Sequence, residues 1–570
     1  MAAPQGPARR HWTDRVPLVG ALRGYQRPWL RTDIAAGIAV AALIVPKNLG
    51  YAGIAGIPLQ NGLYAAAAGA ILYAVFGTSR QISTGPSSGL AAVAASAVLT
   101  AGVVGDQVAP FVAGITLVSG LVFLLLSVLK MGWIAQFLSR AVVTGFLFGA
   151  AIDVVIGELP KLTGTSADGS SAPQELVSWL GTLGDTNAAT ALVGAIALVT
   201  VFGLRRVAPR VPGALVLVVG GLLATWLLDL GDRGVALVGD VPRGLPSVAV
   251  PSPTLLLDHA GTVALASVAL VMIGFSQTAG DARMFAARHR YRVDIDQESL
   301  AQGAANVGAG LLQGMPVSTS LSASSLNDRS GARSPVASLT SGVMVLLTLV
   351  LLAPLFSGLP TAVLAAIIIE AVVMGMMDVA GLRRLFRVQR FDFWIAIAAL
   401  VSTLVVGVLA GVLVGIGLSL LWLVSVTTRP SLPLMAREEG TQVFRELEEY
   451  PQDRPEPGIA VIRIDGGLFF ATADAVQDRV REVADAQPDA RVIVIDCGAV
   501  AVVDAQGAAA LHEILDLARD TDVVVRLARV KPAVRATLQR DGVVERLGAE
   551  RIHGSVHRAV EAHRSQTPRA

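Results

Sequence analysis

One cysteine, Cys497, stands in a chain of 570 residues. An internal disulfide framework is thereby excluded, as is a metal cluster built on thiolates. Charge is scarce too: Asp, Glu, Lys and Arg make up 15% of the chain, against about a quarter in soluble domains. The formal net charge of +2 is too small for a nucleic-acid partner. The Lys and Arg residues also cluster at segment ends rather than along one helix face. The seven histidines (His11, His259, His289, His512, His553, His557 and His563) are scattered, so no catalytic constellation emerges. His553 and His557 are spaced i, i+4 without Cys, His or acidic partners and read as a surface pair; no metal or cofactor is expected. The opening MAAPQGPARRHWTDRV lacks the apolar run and small-residue cleavage site of a removable signal peptide, so the first hydrophobic span is expected to direct insertion.

What the chain has in abundance is apolar surface. Hydrophobic residues reach 53% and the mean hydropathy is +0.62. Most of it must live in a bilayer, whose core of about 30 Å needs about 20 apolar residues as helix. Spans are expected near 33–57, 61–77, 109–129, 133–157, 188–204 and 212–230, then near 260–279, 297–313, 334–356, 359–377, 391–406 and 408–427. Two further segments, 86–101 and 322–330, are too short or too polar at one end to cross alone. Counting them gives fourteen segments in two groups of seven. The positive-inside rule tests that count. Arg9, Arg10, Arg15, Arg23, Arg27 and Arg31 precede the first span, Arg205, Arg206 and Arg210 follow the sixth, and Arg383, Arg384, Arg387 and Arg390 fall on the same side. The long 158–187 segment opposite holds only Lys161 among Lys and Arg. Both termini are therefore expected in the cytosol.

An odd number of spans per half inverts the second half relative to the first, a common transporter plan. The two anomalous segments then occupy matching places, opened by STGPSSG (Ser83–Gly89) and PVSTSLSAS (Pro316–Ser324). Irregular polar backbone at membrane depth is tolerated only where protein encloses it or it lines a watery cavity. Two half-helices opposed at the midplane each present free N–H groups and roughly half a positive charge. The hydroxyl-rich stretches thus read as an anion site, although small residues in membranes also serve simple close packing.

Residues 1–32 read as a cytosolic segment and 33–428 as the membrane domain, with repeats of about 33–231 and 260–428. Residues 429–457 read as a Pro- and Glu-rich linker, and 563–570 as a tail. From 458 to 562 short β-branched strands, IAVIRI, RVIVIDCG and DVVVRLARV, alternate with helical segments, the pattern of a small α/β domain. The fold class expected is a membrane all-α domain of fourteen segments in a 7+7 inverted repeat, followed by a cytosolic α/β domain.

Several long motifs carry a resemblance. Pro46–Pro86, PKNLGYAGIAGIPLQNGLYAAAAGAILYAVFGTSRQISTGP, resembles the SulP anion-transporter family in its P-x-x-x-x-Y-A, G-L-Y and F-G-T-S-R-x-x-S-x-G-P features. Gly274–Ser325 looks like the second signature, and LFFATAD (Leu468–Asp474) with IDCGAVAVVDAQG (Ile495–Gly507) is similar to the family's STAS domain. The resemblance implies secondary anion transport by elevator-like movement of a core domain against a gate domain, usually as a homodimer in the cytoplasmic membrane. Its substrates include sulfate, bicarbonate, halides and dicarboxylates; a sulfate-type inorganic anion is the first expectation, a bicarbonate or dicarboxylate symporter the alternative. A nucleobase–proton symporter shares the 7+7 plan, but the STAS-like domain and first-span motif favour the former family.

The resemblance also implies a substrate site of Lys47, Tyr51, Ser87, Ser88, Gln277, Ser320, Ser322 and Ala323. Three of these depart from the family pattern. Lys47 stands where many members have Gln, Ala323 where many have Arg, and Gln277 where an acid is common. The first two together suggest that the fixed cation has moved to the first span, where a lysine either serves function or snorkels to the interface. Asp281 and Glu370 are intramembrane acids. Asp281 reads either as a coupling site for a proton or sodium ion or as an interfacial carboxylate at a helix end. Glu370 must be neutral or paired, which leaves both proton coupling and a structural contact open. In the STAS-like loop Ala505 stands where regulatory relatives carry a phosphorylatable Ser, so a fixed platform is expected rather than a phospho-switch.

Overall fold

The structure is a computed structural model and describes residues 16–133, 139–169, 171–209 and 211–565. The chain divides into two compact units, 1–419 and 420–570.

Helices occupy every segment expected in the first unit: α1 (Trp29–Ile54), α2 (Leu59–Phe76), α3 (Ser88–Ala101), α4 (Val108–Val128), α5 (Arg140–Thr163), α6 (Ala188–Val207), α7 (Gly213–Leu228), α8 (Ala260–His289), α9 (Ile295–Leu311), α10 (Leu321–Arg329), α11 (Val336–Leu351), α12 (Thr361–Met376), α13 (Arg390–Val406) and α14 (Val408–Thr427). Among the described residues eight helices are long and apolar enough to cross a bilayer, while α3, α7 and α11 are apolar but shorter. Two boundaries differ most from expectation. The helix expected from 133 begins at Arg140, where Ser139 caps it by accepting from the Val142 N–H; residues 134–138 of that span lie outside the described residues. The helix expected to end near 279 runs ten residues further, to His289. It continues because FSQTAGDARMFAARH contains no helix breaker beyond isolated glycine.

The helices form two packed groups. In one, α9 lies against α2 and α4, and α11 against α1 and α2; in the other, α5 packs on α12 and α13, and α12 on α6. Small residues make the first group possible, as they do wherever lipid supplies no hydrophobic drive between helices. Ala65, Ala66, Ala67 and Ala70 of α2 are buried, as are Ala301, Ala305 and Ala309 of α9. A Cβ on Gly310 would sit 2.8 Å from the Ala113 carbonyl oxygen, so only glycine lets α4 and α9 approach this closely. α9 also carries Glu298, Gln302 and Asn306, each buried to 1% exposure or less. Such polarity is tolerated because protein encloses it: Glu298 accepts from the Tyr73 hydroxyl and from the Thr78 N–H at 2.7 Å.

The chain leaves the helical path twice. β1 (Thr84–Pro86) and β2 (Val317–Thr319) pair antiparallel, Thr84 opposite Thr319, Gly85 opposite Ser318 and Pro86 opposite Val317. Proline cannot donate to a ladder and so fits an isolated two-stranded pair. Gly69 gives β1 its seat on α2, since a Cβ there would stand 3.0 Å from the Thr84 carbonyl oxygen. The short helices α3 and α10 start directly after the two strands.

The second unit is a parallel sheet in the order β5 (Ile459–Arg463), β6 (Val492–Asp496), β7 (Val524–Ala528), β8 (Ile552–His553), with α15 (Ala473–Ala486), α16 (Ala505–Asp520), α17 (Pro532–Arg540) and α18 (Val556–Arg564). One expectation is corrected. Residues 431–457 are not a free linker but carry an antiparallel hairpin, β3 (Met435–Arg437) and β4 (Phe444–Glu446). Met435 and Phe444 bury themselves against Ile459, Val461, Val492 and Val494 of the sheet. The charge density of this stretch masks two buried side chains, which is why composition alone reads it as a linker. His553 and His557 fall on β8 and α18, not on one helix face; among the described residues no group of three or more His, Cys, Asp or Glu could hold a metal.

Candidate functional site

Both short helices open with a serine cap. Ser87 precedes α3 in extended conformation and its hydroxyl accepts from the Leu90 N–H at 3.5 Å. Ser320 precedes α10 and accepts from the Ala323 N–H at 3.4 Å. Each cap satisfies one of the amides a helix start leaves free. The sequence builds the same device twice: a strand too short and too polar to continue, then a serine, then an apolar helical run.

β2 is held in place from one side of α8. Ser318 donates to the Gln277 Oε1 at 2.8 Å and Thr319 donates to the Asp281 Oδ2 at 2.9 Å. Gln277 and Asp281 are one turn apart, so successive strand residues meet successive turns of the helix. Asp281 is therefore not a carboxylate at a helix end, as one reading of the sequence had it: it lies eight residues before the end of α8 and touches the crossing strand. The Gln302 side-chain N–H and the Asn306 side-chain N–H, the latter at 3.0 Å, both donate to the Val317 carbonyl and complete the clamp.

A cleft lies against this junction, lined by Leu43, Ile44, Lys47, Asn48, Tyr51, Ser83, Thr84, Gly85, Pro86, Ser320 and Ser322. Of the residues implied by resemblance, it brings together Lys47, Tyr51, Ser320 and Ser322. Ser87, Ser88, Gln277 and Ala323 lie outside its lining. Ser88 is within hydrogen-bonding reach of the Tyr51 hydroxyl. Gln277 acts on the cleft only through β2, and Ala323 is 1% exposed, packed inside α10's surroundings. Lys47 is half-buried and faces the cleft from α1, one residue after Pro46.

Two lining residues were not singled out from sequence. Asn48 and Thr84 are 2% and 1% exposed, and neither the Asn48 Nδ2 nor the Thr84 Oγ1 has a hydrogen-bond partner. Buried donors are almost always satisfied, so two orphans beside one lysine in one cleft need an explanation. Both fall within motifs already conspicuous in the sequence, next to Lys47 and inside the STGP turn. What hid them is that a polar residue's lack of a partner is visible only in three dimensions.

Glu370 lies outside the cleft lining but near enough for its charge to act on Lys47 and Tyr51, which do line it. Its Oε1 accepts from the Arg205 guanidinium at 2.6 Å, so the charged neighbour absent from its own helix comes from α6. In the second unit Asp504 caps α16, accepting from the Gly507 N–H at 2.8 Å and the Phe470 N–H at 2.9 Å, and these bonds hold its carboxyl below the usual range. Burial, with Asp496 adjacent, pushes the Cys497 thiol up to about 12, which makes it an inert core residue.

Residues 30–399 match the model of the sulfate permease family and residues 450–559 that of the STAS domain. The chain belongs to the sulfate permease family, a class of membrane transporters, and carries a STAS domain after its membrane part. A probable sulfate transporter of Mycobacterium tuberculosis is 33% identical over 551 residues, covering 96% of this chain and 98% of the relative. The chloroplastic sulfate transporter 4.1 of Arabidopsis thaliana is 28% identical, over 96% of this chain and 83% of its own. Among solved structures, murine Slc26a9, an anion transporter captured inward-facing, superposes with a TM-score of 0.89 at 20% identity, over 99% of this chain and 96% of its own. The transmembrane domain of a cyanobacterial bicarbonate transporter, BicA, gives 0.62 at 23% identity, over 68% of this chain and 98% of that one. These likenesses establish the fold.

Proposed function

We propose that the protein is a secondary active transporter of a small inorganic anion, sulfate first, bound in the cleft between the N-termini of α3 and α10. The observation that carries the reading is the pair of orphaned buried donors, Asn48 Nδ2 and Thr84 Oγ1, in a cleft that also holds the ammonium of Lys47. An oxyanion supplies the acceptors these groups lack, and Ser320, Ser322 and Tyr51 add hydroxyl donors. Lys47 provides a compact charge without the fork geometry of guanidinium, so selectivity rests on hydroxyl and amide placement. The sulfate transporters among the relatives point to the same substrate class.

Movement follows from the two helix groups. The group holding the strand crossing slides as a body against the group of α5–α7 and α12–α14, carrying the anion across in an elevator-like step. Asp281, bonded to Thr319 next to the lining residue Ser320, is the coupling carboxylate for a proton or sodium ion. Glu370, neutralised by Arg205, is a structural contact instead. The working unit is a homodimer in the cytoplasmic membrane with both termini in the cytosol. The test is uptake of labelled sulfate, bicarbonate, fumarate and chloride into proteoliposomes, with and without imposed proton and sodium gradients. Sulfate accumulation driven by a cation gradient and lost in Asp281→Asn supports the reading; selective bicarbonate or fumarate uptake replaces the substrate assignment, and no anion uptake overturns it.

A further inference from the structure

Between α12 and α13 the chain forms a ten-residue helix, Val379–Val388, VAGLRRLFRV. Asp378 caps it, accepting from the Gly381 N–H at 2.7 Å. Its apolar residues recur at helical spacing on one face and its arginines on the other, the signature of a helix lying in a membrane interface rather than crossing it. Arg383, Arg384, Arg387 and Arg390 are all exposed. No ion pair to any of them is found among the described residues, although arginines in the second unit are paired repeatedly.

The helix and the start of α13 line an open groove. Its wall is of two kinds: Leu382, Phe386 and Phe393 are apolar, and Arg383, Arg387 and Arg390 are cationic. The Arg390 guanidinium lies 6.0 Å from the Phe386 ring centre, and Phe386 and Phe393 meet edge to face at 5.1 Å. Phe386 and the neighbouring Trp394 remain 53% and 61% exposed. A groove that offers guanidinium groups beside aromatic surface suits a ligand with an anionic phosphate and an acyl chain. Guanidinium binds phosphate in bidentate fashion, and clusters of four or more basic residues on a helix beside a membrane span mark recognition of anionic lipid.

We propose that this groove is a binding site for an anionic phospholipid, with the headgroup phosphate on Arg383, Arg387 and Arg390 and the acyl chain along Leu382, Phe386 and Phe393. The occupant is lipid rather than free phosphate because about half of the wall is apolar, with Phe386 and Trp394 left exposed beside the arginines. The site is separate from the transport cleft and does not depend on which anion is carried.

Trp394 supplies the readout. The full-length protein is reconstituted in phosphatidylcholine vesicles doped with tail-brominated phosphatidylglycerol or, in a parallel series, tail-brominated phosphatidylcholine. Trp394 quenching is obtained as the difference between the wild type and Trp394→Phe. Quenching by the brominated phosphatidylglycerol is expected to exceed that by brominated phosphatidylcholine at least about fivefold at equal mole fraction. The triple variant Arg383→Gln, Arg387→Gln, Arg390→Gln loses that preference, and the triple Arg→Lys variant, which controls for folding, keeps part of it. Soluble glycerol phosphate leaves the quenching unchanged. Equal quenching by the two lipids, or a preference that survives the Gln variant, overturns the site. Displacement by glycerol phosphate reassigns it to a free phosphate, and binding of another protein in place of lipid shows as absence of any phosphatidylglycerol preference.

Discussion

Arg205 and Glu370 meet across α6 and α12 at 2.6 Å, with the carboxylate 7% exposed and the guanidinium 47% exposed. The pair is unequal in its surroundings, and that inequality sets what each substitution does. A buried charge stripped of its partner destabilises strongly. An exposed one is rehydrated at little cost.

Arg205→Gln is therefore expected to destabilise the protein more than Glu370→Gln, by about 2 kcal/mol after allowance for the exposure of the arginine. Thermal unfolding of the detergent-solubilised variants measures the order. The double variant should recover part of the loss, because no unpaired carboxylate is left. Equal losses in both single variants would show that the pair acts through packing rather than charge.

Among the described residues Lys47 bears the only side-chain charge in the cleft lining. Lys47→Gln is expected to weaken sulfate binding at least about tenfold, a loss of about 1.4 kcal/mol. A charge-assisted hydrogen bond is roughly twice as strong as a neutral one. Binding isotherms on the purified protein decide the matter, and unchanged affinity returns Lys47 to an interfacial role.

Thr84 separates stability from function. Its hydroxyl is buried without a partner, a state that costs about 1–3 kcal/mol in the unloaded protein. Thr84→Val removes the hydroxyl while keeping the shape, so unfolding temperature should hold or rise while sulfate affinity falls several-fold. A drop in stability with affinity intact contradicts the role given to Thr84.

Ser322 lies at the cleft mouth with its side chain exposed. Ser322→Trp should fit without disturbing α10 yet fill the cleft, giving protein of normal elution behaviour that no longer transports. Normal uptake by the folded variant would place the anion elsewhere.

In the STAS domain the Asp504 cap links stability to pH. Bonds from Gly507 and Phe470 hold the folded carboxyl below its unfolded value. Its contribution is complete above the unfolded pKa of about 3.9 and disappears as pH falls through the lower folded value. Asp504→Ala is expected to cost about 1 kcal/mol near neutrality and to flatten the acid-dependent opening of α16. Hydrogen exchange of the α16 amides across acid pH tests this, with Asp504→Asn retaining the cap and losing the pH dependence.

Much of this architecture is written in the sequence because it depends on local physics. Apolar length marks where the long helices form, and the matched STGP and PVST stretches mark where helices cannot continue. Alternating β-branched runs likewise announce β5, β6 and β7. Three-dimensional packing decided the rest. Met435 and Phe444 turn an apparent linker into a hairpin only because the sheet offers them a face to cover. Asp281 meets β2 because α8 runs on past it and brings it to Thr319, while packing encloses the side chain of Ala323. Asn48 and Thr84 became visible only when the fold removed every neighbour that could have satisfied them. Local pattern determines where backbone must be helix, strand or turn; which polar groups are left wanting a partner depends on contacts between segments hundreds of residues apart, and only the tertiary structure sets those.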